Sequence, residues 1–293
     1  MKRAPIIVTD STCDLPPDLF ARYGIRALPL RIQFGQETYQ SGVDMNLEQF
    51  AQRLQVGDVH PSTSQPTVTD FKQMYEAVAD QDRPILSIHI SEGLSGTINA
   101  ARQAAQQLPD QMITIWDSQT ISAALGLQVL AAARAAEAGY TVEQILPVLE
   151  RARTDSSLLF SLEDLSYLFK GGRIGQVQYH VAQVLKVKPI VTVSKAGDTL
   201  GTYITAGRVR SLAKAVDGFA DLISKDVPAG SKLRAMVFYG IGDTPALAAR
   251  LMDKLKERFD CVFLESAYST PVLGVHVGPL ALDIGYAAGD WDV

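Results

Sequence analysis

The stretch Ile85-Leu86-Ser87-Ile88-His89-Ile90-Ser91-Glu92-Gly93-Leu94-Ser95-Gly96-Thr97-Ile98-Asn99-Ala100-Ala101-Arg102-Gln103-Ala104-Ala105 decides the fold class. Its apolar opening, Ile85 to Ile90, reads as a buried parallel strand. Ile98 to Leu108 reads as a helix with Ala100, Ala101, Ala104 and Ala105 on its inner side. Between them lies a turn in which all residues but Leu94 are small or polar. A strand that feeds a helix through such a turn sets hydroxyls and free N–H groups at a partly positive helix end, which suits a phosphate or carboxylate. Ser95 and Thr97 also read as plain N-caps, the commoner role of such residues. The two glycines around Ser95 favour a ligand, because they allow close approach to the backbone.

The same strand–helix alternation extends in both directions. Ile6–Thr9 predicts a first strand ending in Asp10-Ser11-Thr12-Cys13-Asp14, and Pro16-Pro17 open a helix to Tyr23. Ile25–Phe34 reads as a second strand, with a return through Thr38–Gln40. Asn46 caps an amphipathic helix over 46–55, and His60-Pro61-Ser62-Thr63-Ser64-Gln65-Pro66 reads as a shaped loop outside any element. Met112–Trp116 is a further strand, followed by the Ala-rich helix Ile121–Ala138 and another over Thr141–Arg153. Polar residues gather just after strand ends, at Asp10-Ser11-Thr12, Ser91–Thr97 and Asp117-Ser118. That is the edge where open parallel sheets bind ligands.

The second half mixes hairpins with crossovers. Leu158–Leu162 opens it, Glu163–Phe169 is helical, and Lys170-Gly171-Gly172-Arg173-Ile174-Gly175 breaks the helix. No Lys-Ser/Thr pair follows these glycines, so a nucleotide P-loop is rejected. Lys188–Val193 and Thr199–Ile204 read as a hairpin, Arg208–Ile223 and Pro245–Phe259 as helices, and Arg234–Tyr239 and Cys261–Glu265 as strands. The expected architecture is α/β. Residues 1–157 form a three-layer, Rossmann-like parallel-sheet domain carrying the Thr63 loop and Ser95 turn. Residues 158–293 form a two-layer mixed-sheet domain covered mainly on one face.

Composition removes several function classes. The 293 residues are 47% hydrophobic and 20% charged with a net charge of −5, and no basic block compensates, so nucleic acid is not an expected partner. No apolar run is long enough to span a bilayer, although transient membrane contact stays compatible with the chain. Cys13 and Cys261 are too few for a disulfide framework, and His60, His89, His180 and His276 lack ligand spacing. The expectation is a cytoplasmic protein with no metal and no cofactor.

Five segments together resemble the DegV family: Thr9-Asp10-Ser11-Thr12-Cys13-Asp14-Leu15, Thr63-Ser64-Gln65-Pro66, Gly93-Leu94-Ser95-Gly96-Thr97, Lys170 to Gly175, and Lys188-Pro189-Ile190. The resemblance covers essentially the whole chain. Its best-studied members are fatty-acid-binding subunits of bacterial fatty acid kinase. It implies two α/β domains with a long-chain, palmitate-like fatty acid in a buried inter-domain tunnel. It further implies that the carboxylate is held by Thr63, Ser95 and His276, with Ser64, Gly96 and Thr97 supporting these loops. A separate kinase would phosphorylate the bound acid, facing Arg173 and Arg210. The chain itself is then a lipid carrier and not an enzyme. The family usually reads His-x-Gly-Pro-Gly near its C-terminus, whereas this chain has His276-Val277-Gly278-Pro279-Leu280. Burying about 14 methylenes at about 0.8 kcal/mol each gives roughly 10 kcal/mol before association costs. The tail then dominates affinity and the head-group hydrogen bonds fix orientation.

Three other readings stand beside this one. A serine hydrolase would use Ser95 with His276 and Asp10 or Asp117, but the turn lacks Gly-x-Ser-x-Gly spacing. A binder of another small apolar anion would use the same cleft, since a fold does not choose its ligand. A purely structural protein would leave the hydroxyl clusters at several strand ends as coincidence.

Overall fold

A computed structural model describes residues 3–57, 59–79, 83–174, 187–289 and 291. Four parallel strands form the first sheet in the order β2 (Arg26–Leu28), β1 (Ile6–Asp10), β6 (Ile85–His89) and β7 (Ile113–Asp117). A six-stranded mixed sheet follows the order β10 (Tyr203–Val209), β9 (Lys188–Val193), β8 (Ser156–Leu162), β13 (Ala281–Ala288), β11 (Lys232–Tyr239) and β12 (Asp260–Tyr268). Its pairs are antiparallel except β11 with β12. A small antiparallel sheet holds β4 (Glu37–Gln40), β3 (Arg31–Phe34) and β5 (Ser62–Ser64). The expected α/β class with a parallel and a mixed sheet is what the chain adopts.

Alternate residues sort the layers. On the parallel sheet, Val8 and Ile85 meet α3 (Val68–Val78) and α4 (Thr97–Gln106) through Phe71, Tyr75, Ala100, Ala101 and Ala104. Ile7, Leu86 and Ile88 on the opposite face join α5 (Ser122–Glu137). On the mixed sheet, Leu282, Ile284 and Tyr286 meet α8 (Leu212–Asp226) and α9 (Thr244–Arg258). Phe160, Met236, Phe238 and Ala281 share the α5 cluster. Residues 158–293 thus cover one face of the mixed sheet with their own helices, while the first half of the chain supplies α5 to the other face. A helix enclosed by two sheets must be apolar all round, and Ala123 to Ala133 are buried without a break.

Several elements differ from the expected ones. The single strand expected over Ile25–Phe34 is two strands in different sheets, parted at Pro29, whose missing N–H cannot join a ladder. The 60–66 segment, expected as loop, contributes β5, with Thr63 opposite Ile32. The 188–204 hairpin opens more widely: β10 begins at Tyr203 and runs through Arg208, and the helix expected from Arg208 starts at Leu212 behind the cap Ser211. The remaining helices are α1 (Pro17–Tyr23), α2 (Leu47–Val56), α6 (Val142–Asp155), α7 (Ser166–Lys170) and α10 (Pro271–Val277). Asn46 caps α2 through a reciprocal capping box with Gln49, as its spacing predicts. Gly175 and His180 lie outside the described residues.

The contact between α5 and the mixed sheet depends on missing side chains. A Cβ at Gly285 of β13 would stand 2.4 Å from the backbone carbon of Ala123, and one at Gly126 of α5 would stand 2.8 Å from Met236 Cε of β11. Backbone cannot move aside as a flexible side chain can. Gly285→Ala is therefore expected to cost about 1–3 kcal/mol by overpacking, read as a lower urea midpoint with an unchanged denaturant slope.

Candidate functional site

A cavity opens between the parallel-sheet edge, the small sheet and the mixed sheet, with about 700 Å³ of empty space including its mouth. Its wall is mostly apolar, with Leu30, Ile90, Leu94, Ile121, Leu158, Phe160, Val272 and Leu273 among its residues. Thr63, Ser95 and His276 all line it, although more than 200 residues of chain separate the first from the last.

Each of the three comes from a different unit. Thr63 is the middle residue of β5, held by pairing with β3. Ser95 sits in the turn after β6, whose Leu94 and Ser95 N–H groups donate to the Ser91 carbonyl at 3.0 and 3.1 Å. His276 lies in α10, which Gly274 lets settle on α2, since a Cβ there would come within 2.8 Å of the Phe50 ring. The supporting residues join these units. Gly96 leaves room for Gln65, whose amide would stand 2.4 Å from an added Cβ, so the Thr63 loop lies directly on the Ser95 turn. Thr97 is buried with its hydroxyl 2.8 Å from Ser95 Oγ, and its N–H donates to Ser95 Oγ at 3.3 Å. Gly96 offers α4 no side-chain cap of its own, and Ser95 Oγ takes the first N–H of the helix instead. Ser64 is half-buried beside Thr63.

Hydrogen-bond accounting gives this group a direction. Burial, then the nearby Arg173 guanidinium and His60, push the His276 imidazole down to about 4, so the ring is neutral at pH 7. His276 Nε2 lies 2.9 Å from Thr63 Oγ1, while its enclosed Nδ1 meets no partner among the described residues and faces Gly171. The Thr63 bond forms with either tautomer. A proton on Nδ1, however, would be a buried donor without an acceptor among the described residues, which costs more than the unpaired lone pair left by a proton on Nε2. The proton therefore sits on Nε2 and is donated to Thr63 Oγ1. The Thr63 O–H is left free to donate into the cavity, where an acceptor such as a carboxylate completes it. Leu280, which replaces the family glycine, packs its Cδ2 over Gly242 and leaves the His276–Thr63 bond in place.

The expected partner-facing arginines fall in different places. Arg210 is exposed just beyond β10. Arg173 is exposed yet also lines the cavity, with its guanidinium donating to the Gly171 carbonyl at 2.7 Å. Thr12, from the polar cluster after β1, lines the cavity, whereas residue patterns left three further wall residues unmarked: Ser122, Tyr203 and Asp283. Asp283 alone had a visible signal, as a carboxylate inside the apolar run Ala281–Ala288.

Among the described residues no hydrolase triad forms at Ser95. Its hydroxyl meets Thr97, and His276 meets Thr63. Asp10 instead bonds His89 Nδ1 at 2.9 Å, and His89 Nε2 lies 2.7 Å from Ser87 Oγ. This chain is fully buried, and Tyr75 OH closes it at 2.9 Å from Ser87. Among the described residues no group of three or more His, Cys, Asp or Glu is arranged to hold a metal ion, and no helix is long and apolar enough to cross a membrane.

The fold and site define an α/β protein of two large sheets enclosing an apolar cavity with a hydroxyl–imidazole cluster. The chain belongs to the DegV family: residues 6–289 match the family described as "Uncharacterised protein, DegV family". A DegV domain-containing protein of Deinococcus radiodurans is 34% identical over 285 residues, covering 97% of this chain and 96% of the relative. A solved Thermus thermophilus structure, described as fatty acid binding of a DegV family protein, superposes with a TM-score of 0.89 at 31% identity, covering 98% of this chain and 100% of that one. The Bacillus subtilis structure described as DegV, a fatty acid binding protein, superposes with a TM-score of 0.85 at 27% identity, covering 98% and 100%.

The state of His276 is open to measurement. Its depressed pKa means the unfolded chain takes up this proton near pH 6.5, before the native state does. The contribution is present above that pH and is lost as pH falls through about 4. Histidine NMR is expected to show His276 as the neutral Nε2–H tautomer throughout the neutral range, protonating only near pH 4.

Proposed function

We propose that the protein binds a long-chain, palmitate-like fatty acid in the cavity, as a tunnel between lobes divided at residues 157 and 158. Thr63, Ser95 and His276 hold the carboxylate there. The observation that carries this reading is the 2.9 Å contact of the Thr63 hydroxyl with His276 at the wall of an otherwise mostly apolar cavity that Ser95 also lines. The fatty acid binding described for the Thermus thermophilus and Bacillus subtilis structures supports it. A neutral imidazole, two hydroxyls and a helix N-terminus suit an anion without a buried lysine. The missing triad at Ser95 favours a carrier over a hydrolase. The product of such binding is presentation of the carboxylate, in the cytoplasm, to a separate fatty acid kinase. Arg173 at the cavity wall and exposed Arg210 then form the partner-facing surface.

The reading is tested by native mass spectrometry of the purified protein followed by extraction. A discrete adduct that extracts as a long-chain fatty acid is expected, and a bare mass unchanged after incubation with palmitate would overturn it. Ser95→Ala is expected to weaken palmitate binding about tenfold, the loss of one charge-assisted hydrogen bond of about 1.5 kcal/mol, with the fold retained and a small drop in melting temperature from the lost Thr97 contacts. Arg210→Ala is expected to keep palmitate affinity and to lower acyl-phosphate formation by an added fatty acid kinase. Equal rates for parent and variant would remove Arg210 from the partner surface.

A further inference from the structure

Two buried carboxyl groups from different halves of the chain meet at the cavity wall. Ser122 Oγ, in the first residue of α5, lies 2.8 Å from Asp14 Oδ2 and 3.1 Å from Asp283 Oδ1. Asp14 follows the short turn after β1, and Asp283 is in β13. Asp14 and Ser122 both hold left-handed backbone, with φ of 49° and 52°, a conformation that side chains other than glycine adopt at a cost. Ser122 and Asp283 line the cavity.

Counting protons sets the charge of this cluster. A serine hydroxyl has one proton to donate, so it serves only one of the two carboxylates. The second contact is a hydrogen bond only if that carboxyl carries a proton of its own. Among the described residues Asp14 receives two donors, the Thr270 N–H at 2.8 Å and Ser122, whereas Asp283 has in addition only Ser269 Oγ at 3.5 Å. The proton therefore sits on Asp283, which donates to Ser122, which donates to Asp14. Burial first, then the charge of Asp14, raise the Asp283 pKa well above the usual carboxylate range, and burial raises Asp14 to about 6.

We propose that the Asp14–Ser122–Asp283 cluster is a proton-linked switch on cavity occupancy: while the pair shares one proton the cavity admits an acyl carboxylate, and loss of that proton releases it. The inference rests on the fatty acid reading above. An ionised Asp283 places a charge in an apolar wall, draws water towards it and repels a bound carboxylate. The neighbouring elements hold their charges through the working range. On the side of β1, burial works against Asp10, but its bonds to His89, Thr12 and the Ile90 N–H keep it below the usual range, and burial holds the Cys13 thiol protonated. From β10, burial keeps the Tyr203 phenol protonated, although the nearby Arg173 guanidinium works against it. In α10, His276 is already neutral. Phe160 and Phe238 flank Asp283 on β8 and β11, and neither titrates.

The sign follows from the raised pKa values. The folded state keeps a proton that the unfolded chain loses near pH 3.8, so this stabilisation is lost as pH rises through the folded pKa. The experiment measures palmitate affinity from about pH 6 to about pH 9, beside melting of the ligand-free protein. The parent is expected to lose about tenfold in affinity and to melt lower at the alkaline end. Asp283→Asn, whose amide donates to Ser122 at every pH, is expected to lose both trends. Its affinity at the alkaline end then exceeds the parent's. Asp14→Asn removes the neighbouring charge but not the burial that comes first in raising Asp283, and is expected to move the affinity loss to lower pH than in the parent. A flat parent affinity profile, or equal slopes in parent and Asp283→Asn, overturns the switch. Absence of palmitate binding at every pH overturns the fatty acid reading and the linkage with it, and equal melting slopes separately overturn the shared proton.

Discussion

The burial of α5 between two sheets is the constraint on which the rest of the molecule depends. One helix closes the apolar faces of both the parallel and the mixed sheet, so neither half completes its core without the other. Alanine and glycine at the contact let backbone approach backbone, and the distance between the sheets is set by main-chain atoms. The cavity lies where this packing opens out, at the first turn of α5, with Ile121 and Ser122 in its wall. Its width is therefore inherited from the core.

Much of this arrangement is written in local patterns. The Ile85–Ala105 stretch places Ser95 correctly at a strand end because strand and helix periodicities flank a turn with little apolar character. Asn46 marks a helix start because a capping box needs only residues three apart. The elements that patterns misplace are those decided by distant partners. Ser62–Ser64 has no strand periodicity of its own and becomes β5 because β3 offers it an edge. Arg208 and Val209 extend β10 because β9 continues opposite them, although their sequence runs smoothly into a helical pattern.

The site was legible in the same uneven way. Ser95 could be found from its turn alone, whereas Thr63 and His276 were marked by family resemblance, and their 2.9 Å contact has no trace in local sequence. Asp14, Ser122 and Asp283 are separated by more than 100 residues at each step, and their meeting depends on α5 crossing both sheets. Polar groups in a core acquire their roles from what they face, and facing is a property of tertiary packing.

The three-stranded sheet that carries Thr63 has a separate consequence. Because β5 is joined to the molecule through β3 and the loop resting on Gly96, while Ser95 and His276 belong to other units, any molecule seated on all three residues bridges parts of the protein that are only loosely joined through the main chain. Such a molecule acts as a non-covalent staple. Part of its binding free energy is returned as mechanical continuity between the modules, and an occupied protein resists local opening at this corner more than an empty one.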